Sequence, residues 1–353
     1  MKETPISPLH RQWGARMEEE DGWHMPQQFR NLLVEHEAAR SACGVFDVSH
    51  IAKISLKGHG AREWLEGMLS NSLAGCRDSH AKRALMLNEE GVILDKITVL
   101  RESEGRFLLL GHAALAEVDF RWLQRHLHNS SLELMDETDR WSAMSLYGPE
   151  CEAVLGRVLP GAEIPMPMAF HRFTADGDSL LLARVSLFGE EGLQLFCPAN
   201  RGIHWFSSLV AAGAVPCGSA VREGLRVGGG CCCSCRDAVG CTPHEASLEL
   251  YCDAEKTYIG SQAVARAAQS PPERKLVRLR CDAGGEKPVS GTAVTDGQGE
   301  EVGKVTSAYF DPSTGCIHVF ALLPTRFSTP GTRMQLLTPA GPLAAEVIGK
   351  PRG

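Results

Sequence analysis

The stretch Ala84–Leu100, ALMLNEEGVILDKITVL, constrains the fold of this chain more than any other. Leu85, Met86 and Leu87 form a short apolar run, and Asn88, Glu89, Glu90 and Gly91 are turn residues. Val92, Ile93 and Leu94 begin a second run that resumes at Ile97, Val99 and Leu100. Two apolar runs across a tight turn predict a β-hairpin. Asp95 interrupts the second strand where its neighbours read as buried. A carboxylate in such a place needs partners or a raised pKa, and either makes it a candidate for chemistry. A solvent-facing position on a half-exposed strand is the plainer alternative.

Length and charge narrow the field. At 353 residues the chain predicts two or three domains. Its net charge is −7 and its basic residues form no block, which argues against a nucleic-acid surface. No stretch approaches the ~20 apolar residues of a membrane span. The polar N-terminus, MKETPISPLHRQWGARMEEEDGWHMP, lacks an apolar signal core, so a cytoplasmic protein is expected. Of its 13 cysteines, Cys231, Cys232, Cys233, Cys235 and Cys241 crowd one segment. In the cytosol thiols are expected there rather than disulfides.

Before and after the hairpin the pattern runs strand, helix, strands, helix. Ile51–Leu56 alternates as a strand, Ala61–Leu69 is an amphipathic helix, Arg106–Leu110 is a strand and Ala113–Leu127 a helix. A similar succession comes next: a strand at 142–147, a helix at 150–158, strands at 170–173, 180–185 and 193–196, and a helix at 201–212. Helices on one face of antiparallel sheets, in two related lobes, are the expected result. Gly228, Gly229 and Gly230 are expected to lie outside regular structure. Gln269–Glu273 reads as a linker, and the short strands with Gly- and Pro-rich turns beyond it predict a small β-barrel or jelly roll. The expected fold class is therefore α+β. Residues 1–268 form two lobes, the second at roughly 52–139, 269–274 link, and 275–353 form the C-terminal barrel.

Several strings stand in the order of a known family. Gly14-Ala15-Arg16-Met17, Gly44-Val45-Phe46-Asp47-Val48-Ser49-His50, and the hairpin from Leu87-Asn88 to Asp95 are the first of them. Gly148-Pro149, Pro216-Cys217-Gly218, Tyr258-Ile259-Gly260 and Val305-Thr306-Ser307 come after. On these the chain resembles the T-protein of the glycine cleavage system, the tetrahydrofolate-dependent aminomethyltransferase family. The resemblance implies a cloverleaf of three domains with tetrahydrofolate in a central channel. It also implies a lipoylated H-protein as donor of an aminomethyl group, and a monomer.

The same resemblance assigns site residues. Asp95 matches the catalytic carboxylate, and Arg222 the folate-contacting arginine. Gln194 stands where the family has a Glu that pairs with the pterin, His112 where it has an Asn, and Arg83 where it has a Tyr. Lys96 replaces a second Asp, and Gly228–Cys235 replaces a channel-lining segment. Asp47 and His50 are expected to be structural. These departures keep three other readings open: a non-catalytic folate-binding relative of the iron–sulfur maturation type, a metal-binding or redox segment at Cys233, Cys235, Cys241 and His244, and a drifted pocket with a new ligand. No metal site is expected, since Cys233, Cys235, Cys241 and His244 fit no standard zinc spacing.

Overall fold

In a computed structural model the hairpin consists of strands His80–Leu87 and Ile93–Ser103. The structure describes residues 1–128, 130–186, 191–282 and 286–352. Two compact units emerge: residues 1–65, 73–83 and 97–222, and residues 66–72, 84–96 and 223–353. The boundary runs through both hairpin strands.

The first unit is built on a long, mainly antiparallel sheet. One half runs in the order Gly44–Asp47, Trp141–Tyr147, Leu193–Pro198, Asp178–Arg184, Ala169–Ala175. The other runs Leu132–Asp136, Ala52–Gly58, Arg106–Gly111, Ile93–Ser103, His80–Leu87. Each half has the same plan. A first strand leads into a helix, then three strands come in turn, and the fourth strand returns beside the first before a second helix. The helices are Cys151–Val158 and Gly202–Ala211 in one half, and Ala61–Met68 and Ala116–Arg125 in the other. The halves join at one paired position, Ala169 with His80. This confirms the two related lobes that the order of elements predicts.

Burial explains why the helices lie on the sheet. Val154, Leu155, Trp205, Phe206 and Leu209 pack with Val45, Met144 and Leu195 in one sealed core. Removing such apolar area from water is the dominant favourable term in folding.

In the second unit, strands Arg274–Asp282, Cys316–Pro324, Glu301–Asp311, Ala293–Thr295, Arg333–Thr338 and Gly341–Gly349 close into a barrel. Met334, Leu336 and Thr338 point inward while Arg333, Gln335 and Leu337 point out, the period of a strand with one wet face. A second core joins Leu85, Leu87 and Ile93 of the hairpin to Val227, Cys232, Tyr251 and barrel residues Leu276 and Phe320.

One expectation is corrected. Gly228 and Gly229 form the last turn of helix Ser219–Gly229, and only Gly230 leaves it, at φ +83°. A glycine ends a helix in the left-handed region at little cost. A Cβ at Gly230 would also lie 2.7 Å from the Arg278 guanidinium carbon, so a larger residue needs that side chain to move as well as a strained backbone. No helix among the described residues is long and apolar enough to cross a membrane.

Candidate functional site

Asp95 is fully buried, which overturns its solvent-facing alternative. Its Oδ1 accepts the backbone N–H of Lys96 at 2.7 Å. The hairpin that carries it is held firmly at its turn. Val92 N–H donates to Asn88 Oδ1 at 2.8 Å, and Gly91 N–H to Asn88 O at 3.0 Å. Gly260 lies against this turn at φ +84°, where a Cβ would come within 2.4 Å of Asn88 O. Ser70 Oγ accepts from Leu85 N–H at 2.9 Å and donates to Tyr251 O at 2.6 Å. Ile93 N–H donates to Cys241 O at 2.9 Å, so the two strands are tied to the cysteine-rich segment and to the turn at Tyr251 beyond it.

Lys96 points away from Asp95 along the strand alternation, and its Nζ reaches Cys231 Sγ at 3.2 Å and Cys232 O at 3.4 Å. Burial pushes the Cys232 thiol up to about 12, and Lys96 opposes that rise. The cysteine segment is organised around Asp237, a residue with no signal in the sequence. Its Oδ2 accepts from Arg226 Nη1 and from Cys233 N–H, and its Oδ1 accepts from Thr306 Oγ1 and Ser307 Oγ. Arg226 also donates to Cys231 O and Glu223. Burial opposes the Arg226 charge, but the Glu223 and Asp237 carboxylates outweigh it and keep the guanidinium ionised. Among the described residues, no group of three His, Cys, Asp or Glu side chains is placed to hold a metal ion. The Cys233, Cys235, Cys241 and His244 set is thus not assembled.

The other four expected residues belong to the first unit. Arg222 is buried, bonded to Glu20 and, at 3.1 Å, to His50 Nε2. Burial and then the Arg222 charge push the His50 pKa down to about 3, so His50 is neutral and accepts at Nε2. Just before the helix that carries Arg222, Gly218 N–H donates to Glu35 Oε2 at 2.8 Å. Gln194 is sealed. Its Oε1 accepts from Ser145 Oγ across the paired strands, and its Nε2 donates to Val185 O at 3.3 Å. Arg83 Nη2 donates to Ser186 O at 2.8 Å. His112 precedes the 3₁₀ turn Ala113–Leu115 but makes no side-chain capping bond.

Asp47 and His50 are buried polar supports. Asp47 Oδ2 accepts from Thr4 Oγ1 at 2.6 Å and lies 2.9 Å from His10 Nε2. Burial would raise its pKa, but the His10 bond and charge, with Ser49 and Thr4, hold it down to about 2. Lys53, which sequence reasoning passed over, is wholly buried and donates to Ser49 O and Ile51 O at 2.9 Å each. Burial brings its pKa down to about 7. A lysine in an otherwise ordinary strand carries no sequence signal of this.

A duplicated α+β sheet followed by a closed six-stranded antiparallel barrel defines the class of protein. The GCVT N-terminal domain family matches residues 6–256, and the glycine cleavage T-protein C-terminal barrel domain matches residues 274–352. The chain belongs to the glycine cleavage T-protein family. An aminomethyltransferase from Staphylococcus haemolyticus is 30% identical over 321 residues, covering 89% of this chain and 88% of that protein. One from Halothermothrix orenii is 29% identical, covering 99% of each. The crystal structure of glycine cleavage system aminomethyltransferase T from Bartonella henselae superposes with a TM-score of 0.91 at 26% identity, over 99% of this chain and 97% of that one.

Proposed function

We propose that this chain is a tetrahydrofolate-dependent aminomethyltransferase that takes a one-carbon unit from a lipoylated H-protein, as in glycine cleavage. The carrying observation is Asp95, a carboxylate with no solvent exposure on a hairpin held at both strands. Each unit supplies chemistry of a kind the cosubstrate can use: a buried carboxylate at Asp95 in one, and a buried guanidinium at Arg222 in the other. Tetrahydrofolate supplies the nitrogen that accepts the carbon. Asp95 stabilises the positive charge that develops as sulfur leaves that carbon, and a fixed carboxylate does this without reorganising. In this reading Arg83, His112, Gln194 and Arg222 contact folate, residues 1–268 form the folate-binding region, and the protein acts as a cytoplasmic monomer.

A second reading, a folate-binding relative without catalysis, is favoured by Gln194. Its amide is engaged at both ends within the chain and offers the pterin no carboxylate.

Calorimetry with tetrahydrofolate tests both, with the wild type beside Asp95→Asn and Arg222→Lys. The transferase reading expects micromolar binding, weakened about tenfold by Arg222→Lys. It also expects turnover of an aminomethyl-lipoyl donor that Asp95→Asn lowers by about 100-fold or more. Binding without turnover selects the second reading. No heat at millimolar folate overturns both.

A further inference from the structure

The cysteine-rich segment is the least ordinary part of the chain, and the transferase reading makes no use of it. Cys233 and Cys235 face each other across one residue, with their sulfur atoms 2.8 Å apart. That is about 0.8 Å longer than a disulfide bond and well inside ordinary non-bonded contact. The backbone holds Cys233 in this pose. Cys233 N–H donates to Asp237 Oδ2, and Cys233 O accepts from the N–H groups of Arg236, Asp237 and Ala238. Cys233 is thereby anchored at both its peptide groups to the carboxylate that also takes Arg226, Thr306 and Ser307 and to the turn that carries it. The two thiols differ in access: Cys235 is half-buried and Cys233 is 4% exposed behind it. An accessible thiol can attack a disulfide, and a neighbouring one can resolve the mixed disulfide that results.

The chain contains its own comparison. Cys43 and Cys151 also lie near each other, at 3.5 Å, but both are sealed in the core. Their mutual hydrogen bond and burial raise the Cys151 pKa far above that of an ordinary thiol. Proximity alone therefore does not make a reactive pair here; access distinguishes the two.

We propose that Cys233 and Cys235 are a dithiol–disulfide redox site whose oxidant is a small-molecule disulfide. The Cys235 thiolate attacks one sulfur of the oxidant, forming a mixed disulfide and expelling one thiolate. The Cys233 thiolate then attacks Cys235 Sγ, forming the internal disulfide and expelling the second thiolate. Two electrons pass from the protein to the oxidant, and the two protein protons end on the two released thiols. The bond bridges one intervening residue at a half-exposed site, and exposed disulfides are the readily reversed kind. In a reducing compartment such pairs serve as sensors or transient carriers rather than staples.

The test is independent of folate binding, since it reads mass rather than turnover. The full-length protein is equilibrated in buffers of varied ratio of glutathione disulfide to glutathione, quenched in acid, alkylated and measured intact, with peptide mapping. The expected result is a species lighter by two hydrogens, mapped to Cys233–Cys235 and returned to the dithiol by excess glutathione. Cys233→Ser is expected to stop at a stable glutathione adduct on Cys235. Cys235→Ser is expected to give neither adduct nor disulfide in this segment, and Cys43→Ser to leave the oxidation unchanged. Full reduction of the wild type at every ratio overturns the proposal, as does a disulfide mapped to any other pair. Because the wild type alone answers the first question, a variant that fails to fold does not shelter it.

Discussion

Asp237 Oδ2 lies 2.5 Å from Arg226 Nη1, and the carboxylate is wholly sealed from solvent with its partner 6% exposed. A pair this deep is worth most as a test of what happens when one side is lost, because the remaining charge then has no water to turn to. Asp237→Asn is expected to destabilise the protein by about 3 kcal/mol. Glu223→Gln, at the wetter end of the same arginine, is expected to cost under about 1 kcal/mol. Urea midpoints of the two variants measure the difference; equal losses would deny Asp237 its organising role.

His50 sets an acid limit. Its folded pKa is about 3 against 6.5 for an ordinary histidine, so between these values the unfolded chain binds a proton that the folded one refuses. Stability is therefore whole above pH 6.5 and falls as pH drops toward 3, by about 1.4 kcal/mol per unit for this one site. Asp47, held down to about 2 against 3.8, adds its own loss only below 3.8. His50→Gln is expected to flatten the fall between pH 6.5 and 4 by about one proton. Urea unfolding across that range gives the slope directly.

Gly260 tests how the hairpin is held. Alanine there carries both a left-handed backbone and a Cβ 2.4 Å from Asn88 O, so the turn must move. A loss of about 2–4 kcal/mol is expected, with faster amide exchange at Leu85 and Ile93 measured by NMR or mass spectrometry. Unchanged protection of these amides would mean the turn tolerates the methyl.

Gln194→Glu places a carboxylate oxygen against Val185 O, which now receives the amide hydrogen. The charged form is disfavoured by burial and by that carbonyl, so the folded pKa of the new carboxyl rises above its unfolded value. The folded state then binds the proton more tightly, and the damage shrinks as pH falls. About 2 kcal/mol of destabilisation is expected at pH 7.5, and less at pH 5. Thermal melts at the two values decide it.

Much of the architecture is legible in the residues. The Leu85–Leu87 and Ile93–Leu100 runs mark the hairpin, and the repeated order of strands and helices marks the lobes, because local periodicity is what burial on one face requires. The site is less legible because its partners are remote. Arg222 meets His50 and Glu20 from far along the chain, and Asp237 meets Thr306 and Ser307 on a barrel strand. No spacing rule encodes such meetings. The glycine run is poorly legible because an entropy cost per glycine does not say which residue leaves the helix: two glycines make its last turn and only the third stops it. Asp95 and Lys96 are separable in the sequence, since strand neighbours face opposite ways: one accepts a backbone N–H and the other reaches Cys231.

The seam between the two sheet halves is narrow: one paired position, Ala169 with His80, flanked by the bonds Ala81 N–H to Met168 O and Phe170 N–H to Ser79 O. Side chains add to it, with Arg172 paired to Glu102 and Arg83 donating to Ser186 O. Away from these few bridges, each half can accept substitutions so long as its own helix pair still fits its own strands. The two halves thus share an order of strands and helices without having to share residues, because the plan is set by where apolar faces are buried and not by which side chains bury them.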